Sequence, residues 1–405
     1  MMTKQTLSNG MACFTIPKKG YEEKQAAIIA KYGGADYIHL MPDGSKLEMP
    51  TGIAHFLEHK IFEDPLVNMF EAFTSSGASV NAYTHFTHTV YYFNTVGSFA
   101  ENLALLFKLV GNPHFTDDNI EKEKGIILSE IDMYADDPYW QVHTGLNEAL
   151  FCGNFRQNIL GTKESVRSIT PSQLYNCYNH FYTPKNMALI CIGDLESDQV
   201  QEWAESHLLK GHCQGVTSFY EKELTQAISP FTEKYMTVSI PLFQMGFKAL
   251  YNEVIDPVSL VASSILVDMI AGESSAAYAH LYDKGLIDNN FSVEYICGVC
   301  HGVFLFSGAS TQPEAVRDYI LQTIVEGLSE KRFDIIKSKH MGRYIRGFNS
   351  IDNLSCMQAD LFTKGLDMES VMEALRKVKL NDVEKQLNTY LRTDNCSISV
   401  IKPNK

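Results

Sequence analysis

The pattern His55-x-x-Glu58-His59 within residues 51–60 constrains the fold of this chain more than any other feature. On a helix these positions are i, i+3 and i+4, so the three side chains leave one face within about one turn. Two imidazoles placed in this way can bind one Zn²⁺, and a carboxylate beside them can accept a proton from a metal-bound water, whose pKa the ion lowers to about 7. The segment therefore predicts a helix that carries part of a hydrolytic metal site. The alternative is that two histidines flank a glutamate by chance.

A catalytic zinc needs three protein ligands and an open fourth position, so a further ligand must come from another element. The best candidate lies in segment 115–134, where Glu123, Ile127 and Glu130 share one face of a predicted helix. A carboxylate on the same stripe as a core isoleucine needs a buried partner, because burying it unpaired costs several kcal/mol. A solvated helix face is the alternative interpretation of these glutamates.

Three segments together resemble the pitrilysin/insulinase (inverzincin) family of zinc metallopeptidases: the motif at 55–59, the sequence Val-Asn-Ala-Tyr-Thr at 80–84, and two glutamates seven residues apart in 115–134. The resemblance extends from Leu7 to the C-terminus. It implies that zinc is bound by two histidines and a later glutamate, which are His55, His59 and Glu130. It also implies that Glu58 is the general base and that Glu123 supports the site.

The resemblance further implies that segment 80–84 is the edge strand of a sheet, to which an extended peptide substrate adds by β-augmentation. Its substrate-binding residues are Asn81, Ala82, Tyr83 and Thr84. His85 and His88 follow in a predicted hairpin turn. Because the implied ligand set is already complete, we expect these two histidines to have a polar or substrate-side role.

The second half of the chain repeats the pattern of strands and helices of the first, at an offset of about 213 residues. The predicted fold class is α+β, with two homologous α/β domains, each a mainly antiparallel sheet flanked by helices. The resemblance implies that the two domains form half of a clam-shell. We predict a catalytic zinc-binding domain at 1–209, a linker at 210–230 that begins with a glycine-rich, polar stretch, and a homologous non-catalytic domain at 231–405.

Several elements of the first domain can be predicted from local pattern. The β-rich runs 10–17 and 26–32 flank a polar turn, which predicts a hairpin. A second hairpin is predicted for 78–84 with 88–96, and the periodicity of 98–110 predicts a helix.

The second copy has lost the chemistry of the first. At the place of the motif helix it carries a lone histidine, His280, and the offset places Arg343 where Glu130 would be. We therefore expect no metal site there and a core or interface role for His280. Cys297 and Cys300 form the one close cysteine pair, and their apolar, strand-like surroundings favour a structural role over a redox or metal role.

The charge and cysteine content exclude several classes of partner. A formal net charge of -14 argues against nucleic acid or an anionic membrane surface as the main partner. No apolar run approaches the roughly 18 residues of a membrane span, and the first residues lack the apolar segment of a signal peptide. Nine scattered cysteines fit reduced core residues better than a disulfide framework. We expect a cytoplasmic protein.

The predicted function is a zinc metallopeptidase that hydrolyses peptides or small unfolded polypeptides in a closed chamber. Active relatives carry, in the second half, an arginine and a tyrosine that hold the substrate backbone and the developing oxyanion. Here Leu281 or Tyr282 stands at the arginine position and Asp288 at the tyrosine position. We therefore expect a heterodimer with a homologous inactive subunit that supplies this clamp. A homodimer or monomer that uses Tyr278 or Tyr282 is the alternative.

Two other functions use the same sequence features. A non-catalytic scaffold or partner subunit of the same family typically lacks a ligand or the base, and this chain keeps all of them. A zinc hydrolase that acts on a non-peptide amide would keep the same ligands. Substrate profiling separates that enzyme from a peptidase.

Overall fold

The computed structural model describes residues 2–211, 215–251 and 254–404, so residues 212–214 of the predicted linker lie outside it. The strands are β1 (Thr3–Thr6), β2 (Ala12–Pro17), β3 (Lys24–Ala30), β4 (Ile38–Leu40), β5 (Lys46–Glu48), β6 (Ala78–Thr84), β7 (Thr89–Thr95), β8 (Met187–Gly193), β9 (Thr217–Ser218), β10 (Phe231–Met236), β11 (Leu242–Leu250), β12 (Ser292–Cys297), β13 (His301–Ala309) and β14 (Cys396–Pro403). The helices are α1 (Ile53–Ile61), α2 (Met69–Ser75), α3 (Phe99–Gly111), α4 (Asp117–Ala135), α5 (Pro138–Leu150), α6 (Lys163–Ser168), α7 (Pro171–Phe181), α8 (Ser197–Glu205), α9 (Pro257–Ala271), α10 (Ala276–Asp283), α11 (Pro313–Glu326), α12 (Glu330–Gly347), α13 (Ile351–Thr363), α14 (Met368–Lys377) and α15 (Leu380–Tyr390).

The chain forms two compact units, each with its own main sheet, and the first unit also holds a small three-stranded sheet of order β5-β4-β9. The first unit holds the chain up to Ile131, together with Gln157–Tyr220 and Gly347–Thr363. The second holds Asp132–Arg156, Glu221–Arg346 and the chain from Lys364 onward. The predicted α+β class with two mixed units is confirmed, whereas the linear boundaries at 209 and 231 and the clam-shell stay predictions.

The sheet of the first unit has the strand order β1-β2-β8-β3-β7-β6. Strands β2 and β8 are parallel, and the other neighbours are antiparallel. The predicted hairpin of β6 and β7 is confirmed, with Ala78 opposite Thr95 and Thr84 opposite Thr89. Strand β6 lies at one edge of this sheet, as predicted.

The predicted hairpin of 10–17 with 26–32 is wrong, because β8 lies between β2 and β3. Every residue of β8 is buried, and such a continuous apolar strand belongs in the centre of a sheet with both faces covered. The pairing of β2 with β8 joins residues 176 positions apart, as in Ala12 with Ala188. A reading of neighbouring segments cannot detect it.

Helices cover both faces of this first sheet. Alternate residues of β3, which include Ile28, join a core with α1, α3 and α7. Helix α13 packs against β3 and β8, where Phe362 contacts Phe14 edge to face. Strand β3 is therefore buried along nearly its whole length.

The motif helix α1 begins at a glycine that the packing requires. Gly52 has a φ of +84°, in the left-handed region that L side chains rarely adopt. A Cβ atom added to Gly52 would collide with the carbonyl oxygen of Leu160. Gly161, with a φ of +76°, meets the carbonyl of Thr51 in the same way. This close backbone contact fixes where α1 starts and so where its metal-ligating face points.

The sheet of the second unit has the order β10-β14-β11-β13-β12. Only β10 and β14 are parallel among its pairs. Helix α9 packs against β12 and β13, and α5 packs against β10, β11 and β14. Strands β12 and β13 pair as an antiparallel hairpin, with Ser292 opposite Ser307.

The two units exchange one helix each. Helix α5 precedes the linker in sequence yet belongs to the second unit, and α13 follows the linker yet belongs to the first. The sequence repeat alone did not predict this exchange.

One stretch of the described chain, Pro257–Asp283, is long and apolar enough to cross a membrane by length and composition. It contains α9 and α10, and 72% of its most apolar window is buried inside the fold. Core helices of many proteins pass the same test, so this is weak evidence for a span.

Candidate metal centre

Helix α1 places three polar side chains beside an apolar anchor. Phe56, Leu57 and Ile61 of this helix are almost completely buried in the first core. The same helix presents His55, Glu58 and His59 at the spacing i, i+3 and i+4, as predicted. The imidazole rings of His55 and His59 lie 4.6 Å apart between centroids, edge to face.

The geometry of the three predicted ligands fits zinc. The Nε2 atoms of His55 and His59 each lie 3.6 Å from Oε2 of Glu130. Two ligand atoms of a tetrahedral zinc, each about 2.0–2.1 Å from the ion, lie roughly 3.4 Å apart. Oε2 of Glu130 is buried and has no hydrogen-bond partner in the described part of the chain. Among the described residues, these three side chains form the cluster of His, Cys, Asp or Glu that could hold a metal ion.

The protonation states of the site suit metal binding. Burial lowers the pKa of His55 to about 3, so its ring is neutral at pH 7 and offers a lone pair. Oε1 of Glu123 lies 3.0 Å from Nδ1 of His59. Because a carboxylate can only accept, His59 donates its Nδ1–H, which leaves Nε2 for the ion. Burial alone would raise the pKa of Glu123, but His59 and the Lys60 ammonium hold it below its usual value.

Glu58 points to the same region and is held by one hydrogen bond. The hydroxyl of Thr84, at the end of β6, donates to Oε2 of Glu58 at 2.9 Å. Burial raises the pKa of Glu58, and the bond from Thr84 opposes this rise. A carboxylate with a raised pKa is better matched to proton transfer near neutral pH than one with an ordinary value.

The other predicted substrate residues line strand β6. Ala82 donates its backbone N–H to the side-chain oxygen of Asn81 at 2.8 Å, and the hydroxyl of Tyr83 lies 3.7 Å from Sγ of Cys356. The rings of His85 and His88 contact each other and Tyr83. Neither histidine belongs to the ligand cluster found among the described residues.

An open pocket of about 450 Å³ adjoins the site. One side of it is polar, with Glu58, His59 and Asn81. The other side is apolar, where Phe62 and Phe70 stack with centroids 4.8 Å apart. Ile126 of α4 completes the apolar wall and is 49% exposed.

The equivalent position in the second unit holds an ion cluster. At the offset of the repeat, Asp268 of α9 corresponds to His55 and Arg343 of α12 to Glu130. Oδ2 of Asp268 lies 2.7 Å from His340 and 3.2 Å from Arg343, and Oδ1 lies 2.8 Å from Lys339. Three basic groups thus surround one buried carboxylate where the first unit has metal ligands.

The two remaining motif candidates have packing contacts. His280 stacks on Tyr319 with centroids 4.3 Å apart, which accords with the packing role expected for it. Cys297 ends β12 and donates to the carbonyl of Gly298, and no disulfide joins any of the eight cysteines in the described residues.

The sequence predictions missed two parts of this site. One is Lys60, whose side chain is 2% exposed and lies beside Glu123. The available signal was a lysine next to Ile61 and three residues after Leu57, both buried aliphatic residues of the same helix. The other is the apolar wall at Phe62, Phe70 and Ile126, which brings together segments too far apart in sequence for local pattern to connect.

The sequence of this chain is similar to those of known protein families and proteins. The family described as Insulinase (Peptidase family M16) matches residues 41–163, and the family described as Peptidase M16 inactive domain matches residues 168–339. A protein named uncharacterized zinc protease YmfH, from Bacillus subtilis, is 30% identical, with 98% of this chain and 96% of that protein aligned.

Solved structures show the same likeness. An M16-like peptidase from Alicyclobacillus acidocaldarius superposes with a TM-score of 0.95 at 31% identity, covering 100% of this chain and 98% of that one. The periplasmic protease PqqL from Escherichia coli, at 16% identity, shares the fold with a TM-score of 0.77, and the match covers 100% of this chain but 48% of PqqL.

Proposed function

We propose that this chain, which belongs to peptidase family M16, the insulinase family, is itself a catalytically active zinc metalloendopeptidase. Its cofactor is zinc. The observation that carries the proposal is the convergence of His55, His59 and Glu130, each histidine 3.6 Å from the glutamate, beside Glu58 at the mouth of one pocket. A non-catalytic relative would not need both a complete ligand set and a base.

Each residue of the site has a separate role in the proposed reaction. When bound, zinc supplies Lewis acidity that activates water and polarises a carbonyl group. Glu58 accepts a proton from the attacking water and delivers it to the leaving amine. Thr84 holds Oε2 of Glu58 in place during this transfer. Glu123 keeps His59 in the tautomer that offers Nε2.

The proposed substrate is a peptide in extended conformation. Strand β6 is an edge strand, so its outer backbone groups can pair with an added strand. The proposed contacts are made by the four residues at its end, Asn81, Ala82, Tyr83 and Thr84. The wall of Phe62, Phe70 and Ile126 supports this choice, since it offers apolar surface to a bulky side chain beside the reacting bond. A small non-peptide amide would leave both features unused.

The test of this function uses the zinc-loaded chain and a mixture of peptides. We expect Glu58→Gln to retain zinc and to lower hydrolysis at least 100-fold, because the proton acceptor is lost while all ligands remain. Mass spectrometry of the products identifies cleavage, and elemental analysis confirms the metal. A Glu58→Gln variant that loses less than about 100-fold in activity would exclude Glu58 as the base.

We also propose that the active enzyme is a heterodimer with a homologous subunit. At the positions predicted for the substrate clamp, Leu281 is fully buried and Tyr282 and Asp288 cannot supply a guanidinium. A facing subunit that provides the arginine and tyrosine would complete a closed chamber. The match of this chain to about half of PqqL supports such pairing.

Purified alone, the chain should bind zinc and show little peptidase activity until the homologous partner is added. The measurement is hydrolysis of the identified peptides with and without a co-expressed M16 partner. Full activity of the lone chain at every concentration would contradict the heterodimer and leave the proposed chemistry intact.

A further inference from the structure

Lys60 is a buried cation inside the carboxylate cluster of the site. Its side chain is 2% exposed. The ammonium forms an ion pair with Glu63, donates to the backbone carbonyl of Asn119 at 3.2 Å, and lies 3.6 Å from Oε2 of Glu123. A buried ammonium is tolerated only where such acceptors surround it.

The contacts of Lys60 connect two helices. Lys60 lies on α1 next to His59, whereas Asn119 and Glu123 lie on α4. The two oxygens of Glu123 have different partners, since Oε1 accepts from His59 and Oε2 faces Lys60. One carboxylate thus joins the ammonium to a metal-ligating imidazole.

We propose that Lys60 is a positioning residue for zinc: its ammonium fixes Glu123, which in turn fixes the His59 ring and the register of α4. Glu130 follows Glu123 by seven residues, about 10 Å along a rigid helix. A fixed Glu123 therefore also sets where the third ligand lies. The site is then assembled before the ion arrives.

Charge balance gives an independent reason for a cation here. Four carboxylates lie at the pocket or among the metal ligands: Glu58, Glu63, Glu123 and Glu130. Without Lys60, the carboxylates of Glu63 and Glu123 would face each other in a partly buried space. Like charges at such positions repel, and side chains would rotate toward water.

The inference rests on the zinc site of the proposed function but not on hydrolysis, so its test measures metal affinity. If Lys60 acted only as a nearby positive charge, its removal would tighten the binding of Zn²⁺. A positioning role predicts weaker binding, because residues that orient ligands typically contribute about 10- to 100-fold in metal affinity. The two roles therefore give opposite signs.

The experiment compares zinc dissociation constants by competition with a chromophoric chelator. We expect Lys60→Met to weaken binding about 10- to 100-fold and Lys60→Arg to stay within about threefold of the parent. In the background of Glu123→Ala, Lys60→Met should add little, because its route to His59 is already broken. Unchanged or tighter binding in Lys60→Met, or losses that add in full, would overturn the proposal.

The matched control is Lys248→Met. Lys248 is another fully buried lysine, paired with Glu223 at 3.8 Å in the second unit. This variant loses a buried ammonium without touching the site, so its zinc affinity should equal that of the parent. Thermal unfolding of the zinc-free variants checks folding. If Lys60→Met does not fold, Lys60→Gln, which keeps a donor without the charge, takes its place with the same expectation.

Discussion

The Thr84 hydroxyl is the one side-chain donor recorded on Glu58 among the described residues, at 2.9 Å from Oε2. Thr84 Oγ1 is in turn 3.3 Å from that of Thr89, which donates to the backbone carbonyl of Tyr32. Each hydroxyl donates its one hydrogen, that of Thr84 to Glu58 and that of Thr89 to Tyr32, so the two threonines are in contact without a hydrogen bond between them. The bond from Thr84 restricts the rotamers of the Glu58 carboxylate.

We predict that Thr84→Val lowers kcat about 10- to 100-fold with little change in KM or zinc content. Valine keeps the shape of threonine and its strand preference but leaves Glu58 without its donor. Steady-state kinetics on a peptide cleaved by the parent enzyme measures both constants.

The control variants for this prediction separate the hydroxyl from the strand. Thr84→Ser keeps the donor and should restore most of the lost rate. Thr95→Val removes another buried hydroxyl, on β7, whose bond goes to the carbonyl of Gly77. A loss of rate in Thr95→Val equal to that in Thr84→Val would contradict a specific effect on Glu58.

Residue spacing alone placed His55, Glu58 and His59 on one face, because i, i+3 and i+4 on a helix converge whatever the rest of the fold does. The choice of Glu130 as third ligand and of Glu58 as base came from the resemblance to the family. The role of Lys60 could not be predicted in this way. A lysine is usually solvated, and only the packing of α4 onto α1 buries this one. Thr84 was predicted to bind substrate, and its bond to Glu58 is a contact between β6 and α1 that no local pattern encodes.

At the scale of elements, the helices were easier to predict than the order of the strands. Helix α7 spans Pro171–Phe181 as its sequence indicates, since Thr170 caps it and Pro171 occupies its first turn. The short, continuous apolar run of β8 likewise indicates a strand. Its place between β2 and β3 depends on pairing across most of the first unit, which propensity does not report.

The ion cluster that joins Asp268 of α9 to the basic residues of α12 predicts that the stability of the fold depends on pH. Burial alone would raise the pKa of Asp268, but His340 and Lys339 outweigh it and lower the pKa to about 2, from an ordinary value of 3.8. A depressed carboxyl pKa contributes stability that is present above about pH 4 and is lost as the pH falls toward 2. Asp268→Asn should therefore reduce the free energy of unfolding by about 1–2 kcal/mol at pH 7, a figure discounted because Arg343 is half exposed.

The difference between Asp268→Asn and the parent should shrink as the pH falls from 4 to 2. Urea unfolding followed by circular dichroism at several pH values measures it. Asp334→Asn, which changes an exposed carboxylate on α12, serves as the control and should change stability little at any pH. A difference that stays constant between pH 7 and pH 2.5 would show that the ion cluster is not its source.

At the scale of the whole molecule, the repeat predicted two domains, each with a sheet and flanking helices, and each of the two units has such a sheet. The repeat did not predict that α5 belongs to the second unit and α13 to the first. Both helices lie in regions with ordinary amphipathic patterns, and such patterns indicate an apolar face without naming the sheet that covers it.

The exchange predicts how fragments of the chain behave. Residues 1–210 alone lack α13, which leaves apolar surface of β3 and β8 uncovered. We expect this fragment to be insoluble or to lack zinc, and co-expression with residues 215–405 to restore a soluble, zinc-binding complex. Soluble yield and metal content measure the result. A soluble, zinc-loaded fragment 1–210 would contradict the prediction.

The same exchange of α5 and α13 determines when the first unit can finish folding during synthesis on the ribosome. The metal-binding unit is finished only when Thr363 has emerged, near the end of a chain of 405 residues. At about 5–20 residues per second, the interval from the linker to that point lasts roughly 7–30 s. Throughout it, the face of the nascent first sheet that α13 covers is open, and α5 still lacks its partner strand β14. We expect the growing chain to depend on a chaperone during this interval, and the mature enzyme to have no such need.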